Sequence, residues 1–85
     1  MVGIEEYREW AKKYPNFMTP YILQVKKSGD KFIELSHGTG FDHKPIYGVS
    51  VKIPKPEGGF KTPENDNDSK MFHDKQKALN YFNKL

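Results

Sequence analysis

The stretch from residue 21 to residue 53 constrains the fold of this chain most, because polar and apolar residues alternate along three of its runs. The runs cover residues 21–26, 31–36 and 46–53. Strict alternation is typical of β-strands that bury one face and leave the other in water. Pro54 and Pro56 follow the third run and end its ladder, because proline has no N–H to donate. The sequence therefore predicts three antiparallel strands.

Residues 27–29 are predicted to form the turn of the first hairpin. A two-residue turn at Ser28-Gly29 would place Leu23 opposite Glu34. A three-residue loop with Gly29 in the left-handed conformation instead keeps the apolar residues of both strands on one face. The register that we predict on this ground pairs Lys26 with Asp30, Leu23 with Ile33 and Tyr21 with Leu35.

Two helices are predicted to flank the strands. Residues 4–14 and 74–85 carry apolar side chains at helical spacing, with Asp74 as the N-cap of the second helix. The order α-β-β-β-α predicts an α+β fold, a three-stranded antiparallel sheet with two helices on one face. The predicted core comprises Tyr21, Leu23, Val25, Ile33, Leu35, Val49 and Val51 of the sheet, packed against Tyr7, Trp10, Leu79 and Phe82 of the helices.

The length of 85 residues predicts a single small domain, residues 1–85, with a long acidic loop at 54–70. The chain has no cysteine, which fits a reducing compartment. No apolar run is long enough to cross a bilayer, and the N-terminus lacks the pattern of a signal peptide. We therefore expect a cytoplasmic protein without a membrane partner.

The net charge of +3 is unevenly distributed, because residues 62–69 hold three acids and no base. Thirteen of the fourteen basic residues are lysines, which suit phosphate contacts better than base edges. The residues predicted to bind nucleic acid, RNA or DNA, are Lys26, Lys52, Lys75, Lys77 and Lys84, with Lys44 and Lys55 in reserve. The alternative is a lysine surface that only keeps the protein in solution.

The predicted solvent face of the sheet carries Ile22 and Phe32, which are unusually apolar for that position. We interpret them as a contact for a protein partner, unless the 54–69 segment folds over them. The acidic residues Glu64, Asp66 and Asp68 are predicted either to dock on a basic partner or to oppose RNA binding at long range.

The three histidines, His37, His43 and His73, match no standard spacing of metal ligands. The glycines of the loop predicted at residues 37–45 do not form a dinucleotide-binding motif, because no helix follows them. The sequence therefore predicts no metal, no other cofactor, no small-molecule substrate and no enzymatic activity.

The order of elements resembles that of the double-stranded-RNA-binding domain. Pro20-Tyr21 at the start of the first strand, Gly29 in the first turn and residues 74–78 at the start of the last helix are similar to that family's pattern. The resemblance implies phosphate contacts at Lys75 and Lys77. The chain departs from the family in two respects. Its segment 54–73 is long and acidic, and it lacks the family's consecutive lysines at the approach to the last helix.

The chain also resembles small accessory proteins of T-even phages in its length, its lysine content and its ending Asn80-Tyr81-Phe82-Asn83-Lys84-Leu85. Within that group it is similar to counter-defence inhibitors of the ToxN endoribonuclease of ToxIN toxin–antitoxin systems. The resemblance implies a non-enzymatic inhibitor that binds a toxin endoribonuclease together with RNA. Two functions therefore remain open: a nucleic-acid-associated inhibitor or regulator, and a pure protein–protein interaction module.

Overall fold

The computed structural model describes residues 2–85 and contains two helices and five strands. The elements in chain order are α1 (Ile4–Lys13), β1 (Tyr21–Ser28), β2 (Lys31–Thr39), β3 (Pro45–Pro54), β4 (Phe60–Lys61), β5 (Lys70–Phe72) and α2 (Lys75–Lys84). The predicted helices and the three main strands are all present.

All strand pairings in the sheet are antiparallel. Strands β1, β2 and β3 form a meander, and the free edge of β3 pairs with both short strands. Strand β4 pairs with the end of β3 at Ile53 and Pro54, whereas β5 pairs with its middle, at residues 47–49. The α+β class is confirmed, but the sheet has five strands rather than three. Strand β4 lies within the segment predicted to be a long acidic loop, residues 54–70, and β5 begins at its last residue.

The first hairpin does not have the predicted register. Ser28 pairs with Lys31, which leaves a two-residue turn with Gly29 at its first position. Gly29 has φ +64°, the left-handed conformation that a two-residue turn of this kind requires there. The register then shifts at a bulge between Ile22 and Gln24.

The bulge overturns part of the predicted core. Leu23 lies at the shift and is 38% exposed, and Tyr21 is 63% exposed. Val25 is half-buried, but it packs with the cluster around Tyr7 and not with Ile33. The prediction assumed that all apolar residues of the hairpin share one face, whereas a bulge changes which face each residue occupies.

The two helices pack on opposite faces of the sheet, which contradicts the prediction that both cover one face. Helix α2 packs on the face that carries Ile33 and Leu35, here called the α2 face. Helix α1 packs on the face that carries Phe32 and Glu34, here called the α1 face. Residues 32–36 of β2 are consequently all buried, because β2 lies between two layers.

The α1 face is closed by aromatic rings. Tyr7 stacks on Phe32 with ring centres 5.3 Å apart, and Phe60 meets both rings edge-on. Phe32 is 0% exposed, so its predicted contact with a protein partner is wrong. Ile22, its predicted companion, is half-buried against the same cluster. The alternative prediction, that the 54–69 segment covers this face, is confirmed, because Phe60 of that segment packs there together with α1.

The α2 face is closed by Ala78 and Phe82, which are buried over the aliphatic residues of β2 and β3. Asp74 is the N-cap, as predicted, and its carboxylate accepts hydrogen bonds from the main-chain N–H groups of Gln76 and Lys77. Neither helix, in the part of the chain from residue 2 onward, is long and apolar enough to cross a membrane.

Glycines at the end of β2 allow a close approach of the chain. The segment predicted as a loop from residue 37 is strand as far as Thr39. A side chain at Gly38 would overlap the main-chain oxygen of Met18, so the connector between α1 and β1 packs directly on β2. Gly38 therefore has a packing role.

Candidate nucleic-acid interface

A row of aromatic rings crosses three strands on the α2 face. Tyr21 of β1 pairs with His37 of β2, and His37 pairs with Tyr47 of β3. The rings of Tyr21 and His37 are 5.3 Å apart between centres, and those of His37 and Tyr47 are 6.1 Å apart. We call Tyr21, His37 and Tyr47 the aromatic row.

The aromatic row depends on the bulge at Leu23. Without the register shift, Tyr21 would pair with the residue next to His37 in the chain. The ring of Tyr21 would then lie on the face of the sheet opposite to the His37 ring. Sequence reasoning missed the row because it assigned Tyr21 to the core. The signal available in the sequence was the abundance of aromatic residues at the ends of the predicted strands.

Helix α2 leaves much of the aromatic row uncovered. The helix packs on β2, β3 and β5 and contacts β1 at Lys26, so the end of β1 that carries Tyr21 remains exposed. Tyr21 is 63% exposed, whereas His37 and Tyr47 are half-buried. At its other end the row meets Phe72, which pairs with Tyr47 and packs against Tyr81 of α2. One end of the aromatic row is thus packed against α2, and the other end, at Tyr21, is open to solvent.

Two of the predicted phosphate-binding lysines lie in elements next to the aromatic row. Lys75 is in the first turn of α2, three residues after Phe72. Lys44 directly precedes β3, whose third residue is Tyr47. Both lysines are exposed. Lysines close in the chain to aromatic rings are a combination that single-stranded nucleic-acid sites use.

The other predicted lysines on this side either contact α2 from β1, as Lys26 does, or lie on α2 itself. The Nζ of Lys26 donates to the main-chain oxygen of Phe82 over 2.6 Å and lies 4.7 Å from the centre of its ring. Lys26 therefore neutralises the C-terminal end of α2, a structural role that sequence reasoning did not assign. Lys77 and Lys84 are exposed on the helix, seven residues apart and hence on one side of it.

Lys52 does not belong to this surface, because it lies on the α1 face in a buried polar network. Glu34, only 3% exposed, accepts hydrogen bonds from the Tyr7 hydroxyl at 2.6 Å and from Asn16 Nδ2 at 2.9 Å. Asn16 also donates to Ser50 and accepts from Lys52 Nζ. The prediction of Lys52 as a phosphate contact is therefore corrected: its ammonium group is directed at the network.

Burial sets the electrostatics of this network. Burial raises the pKa of Glu34, and the hydrogen bonds from Tyr7 and Asn16 and the charge of Lys52 offset that rise only in part. Burial likewise lowers the pKa of Lys52, with Glu34 and Asp66 acting in the opposite direction. Burial and the neighbouring Glu34 together raise the pKa of Tyr7.

The acidic segment, predicted as a long loop, makes several hydrogen bonds to the rest of the fold and within itself. Asp66 accepts hydrogen bonds from the main-chain N–H groups of Asp68 and Ser69. Burial acts to raise the pKa of Asp66, but these hydrogen bonds and Lys52 outweigh it and lower the pKa. The hydroxyl of Tyr81 donates to the main-chain oxygen of Asp68 at 2.6 Å. Asp66 thus shapes the loop, while Glu64 is exposed.

Lys55 lies apart from all these residues, in the turn between β3 and β4, and its Nζ is 3.9 Å from a carboxylate oxygen of Glu57. The seven predicted lysines therefore do not form one continuous surface. The histidines do not converge either: within residues 2–85 no three metal-ligating side chains form a cluster.

Comparison with known proteins gives no relative: no protein-family model, no curated protein and no solved structure matches this chain.

Proposed function

We propose that this protein is a non-enzymatic regulator that binds single-stranded RNA on the aromatic row and acts, in the cytoplasm, on a protein partner such as a toxin endoribonuclease. The observation that carries the proposal is the ring-to-ring arrangement of Tyr21, His37 and Tyr47, with Tyr21 63% exposed. Unpaired bases stack on such rings without a strict sequence preference.

The charge distribution supports RNA as the ligand. Lys75 lies in α2, which adjoins the row, Lys44 directly precedes β3, and the chain carries a net charge of +3. Lysines of this kind hold the phosphate backbone, and the rings hold the bases. The resemblance to phage inhibitors of ToxN supplies the class of protein partner, an enzyme that itself holds RNA.

The decisive measurement is the affinity for a labelled single-stranded RNA of about ten nucleotides, followed over a range of salt concentrations. We expect Tyr21→Ser to weaken binding about tenfold, because one stacked base loses its support. Tyr21→Phe keeps the ring and should keep the affinity. Phe41→Ser is the matched control, because Phe41 is 83% exposed and lies outside the row.

A second function, a pure protein–protein interaction module, is favoured by one observation. Phe17 and Phe41 are 78% and 83% exposed, and their rings lie 6.2 Å apart. Exposed aromatic pairs of this kind are typical anchors for a protein partner. If the wild-type protein binds no RNA at any salt concentration, and Phe41→Ser prevents capture of the toxin endoribonuclease, this second function replaces the first.

A further inference from the structure

An open groove of about 630 Å³ lies between the C-terminal half of α1 and the turn that joins β3 to β4. Trp10 and Tyr14 form one wall, and the main chain at Gly58 and Gly59 forms the other. Small-molecule sites commonly have volumes of roughly 300–1,000 Å³. The groove is on the α1 side of the molecule, and none of its lining residues belongs to the aromatic row.

The aromatic wall is held in place by packing. Trp10 contacts the ring of Phe60 edge-on at 5.2 Å between centres and the ring of Tyr7 at 5.9 Å. Tyr14 continues the wall at 5.4 Å from Trp10 and is 62% exposed. A ligand that stacks here therefore meets a surface that is already formed.

The opposite wall approaches closely because it consists of glycine. Gly58 and Gly59 have φ angles of +105° and +77°, in a region that other residues rarely adopt. A Cβ atom at Gly59 would lie 3.1 Å from Nε1 of Trp10. Glycine thus sets the width of the groove at its base.

The groove carries a net positive charge from Lys13 and Lys55 against Glu9. Lys55 is paired with Glu57 only at 3.9 Å, and Glu9 is paired with Lys12 at 3.5 Å on an exposed surface. Exposed ion pairs of this kind are weak, so Lys13 and Lys55 remain able to bind an anion.

We propose that this groove binds a nucleotide, with its base stacked on Trp10 and Tyr14 and its phosphate held by Lys13 and Lys55. The aromatic wall selects a flat π-system, and the ammonium groups select a phosphate. A free mononucleotide and an unpaired nucleotide of an RNA strand present the same chemistry. This inference goes beyond the proposed function, because it concerns a separate surface and does not require RNA to bind the aromatic row.

Trp10 is the only tryptophan, so its fluorescence reports on this groove directly. The probes are AMP, UMP and a short oligouridylate, compared with ribose 5-phosphate and inorganic phosphate. We expect saturable quenching by at least one of the base-containing probes and none by the two probes without a base. Quenching by the oligonucleotide alone assigns the groove to a nucleotide within an RNA strand, and quenching by mononucleotides assigns it to a free nucleotide.

Variants in the wall and in the lysines test the assignment. Tyr14→Ala should weaken nucleotide binding about tenfold through lost stacking. As a separate variant, Lys55→Gln should also weaken nucleotide binding, because a phosphate contact is lost. Glu57→Gln should tighten it, because Lys55 loses its competing carboxylate. Lys31→Gln is the matched control, being exposed at the start of β2, away from the groove. Circular dichroism checks that each variant is folded.

The proposal is overturned if no nucleotide quenches Trp10 at millimolar concentration, or if phosphate alone quenches it equally. It is also overturned if Tyr14→Ala and Lys55→Gln leave the titration unchanged. Tyr21→Ser separates the two sites: it should reduce RNA binding to the aromatic row and leave mononucleotide quenching of Trp10 unaltered.

Discussion

The two faces of the sheet are closed in different ways. On the α2 face the core is aliphatic, with Ile33, Leu35, Val49 and Val51 each no more than 3% exposed. On the α1 face, a cluster of aromatic rings is joined through the Tyr7 hydroxyl to a buried carboxylate, Glu34, whose hydrogen bonds come from α1 and from the connector that follows it. An aliphatic core is tolerant of small rearrangements, whereas a buried polar network requires each partner in its place.

The faces differ in what they leave exposed as well. Helix α2 covers only part of its face, and the uncovered part carries the aromatic row. Helix α1 covers the strands beneath it, and its exposed aromatic residues line a groove at its own end. Each face therefore combines a sealed region with an open aromatic surface, and the open surfaces are the two candidate sites.

The largest expected effect is on the α1 face. Phe32→Ala should lower the free energy of unfolding by about 3–5 kcal/mol, because it removes a fully buried ring that packs on both Tyr7 and Phe60. Urea denaturation measures the loss. A loss below about 1 kcal/mol would mean that α1 does not seal this face.

The buried carboxylate of Glu34 should make the stability of the fold depend on pH. Because burial raises the folded-state pKa of Glu34 above its ordinary value of 4.5, the folded protein holds this proton more tightly than the unfolded chain. The stability gained in this way is complete below the unfolded pKa and is lost as pH rises through the folded pKa. Glu34→Gln cannot ionise, so the stability of the variant relative to the wild type should increase as pH rises above the ordinary value of 4.5.

Denaturation at several pH values tests this prediction. Asp30→Asn, at an exposed position in the first turn, is the control for removing an acidic group. A constant difference between Glu34→Gln and the wild type across this range contradicts the assignment of a raised pKa.

The salt dependence of RNA binding should distinguish the lysines near the aromatic row from those on the α1 face. Lys75→Gln should reduce the slope of log affinity against log salt by about one, since Lys75 belongs to the element beside the aromatic row. Lys52→Gln should leave the slope unchanged, because Lys52 Nζ is bonded to Asn16 on the other face. The reverse result would move the RNA site to the α1 face.

The smallest expected effect is that of Leu23→Ala. Sequence reasoning placed Leu23 in the core, where its loss would cost about 2–5 kcal/mol. At 38% exposure in a bulge it should cost less than about 1 kcal/mol. Ile33→Ala, fully within the α2-face core, is the comparison and should cost several times more. Equal losses of stability in the two variants would instead support the regular register, in which Leu23 is buried.

The sequence by itself determined the existence and approximate limits of the main elements. Alternation predicts β1, β2 and β3, helical spacing predicts α1 and α2, and Asp74 predicts the start of α2. These signals are local, since each depends on the conformation of a few consecutive residues. Of the candidate sites, only the exposed lysines could be proposed from the sequence.

Tertiary structure alone decided which face each helix covers, where β1 shifts its register and which rings meet. Both faces of β2 are apolar at Phe32, Ile33 and Leu35, so alternation cannot say which one a given helix will seal. The bulge at Leu23 lets Ile22 and Val25 reach the α1 face while Tyr21 joins His37 on the other. These outcomes depend on contacts between residues far apart in the chain, whose free energy is gained only when the sheet and both helices pack together.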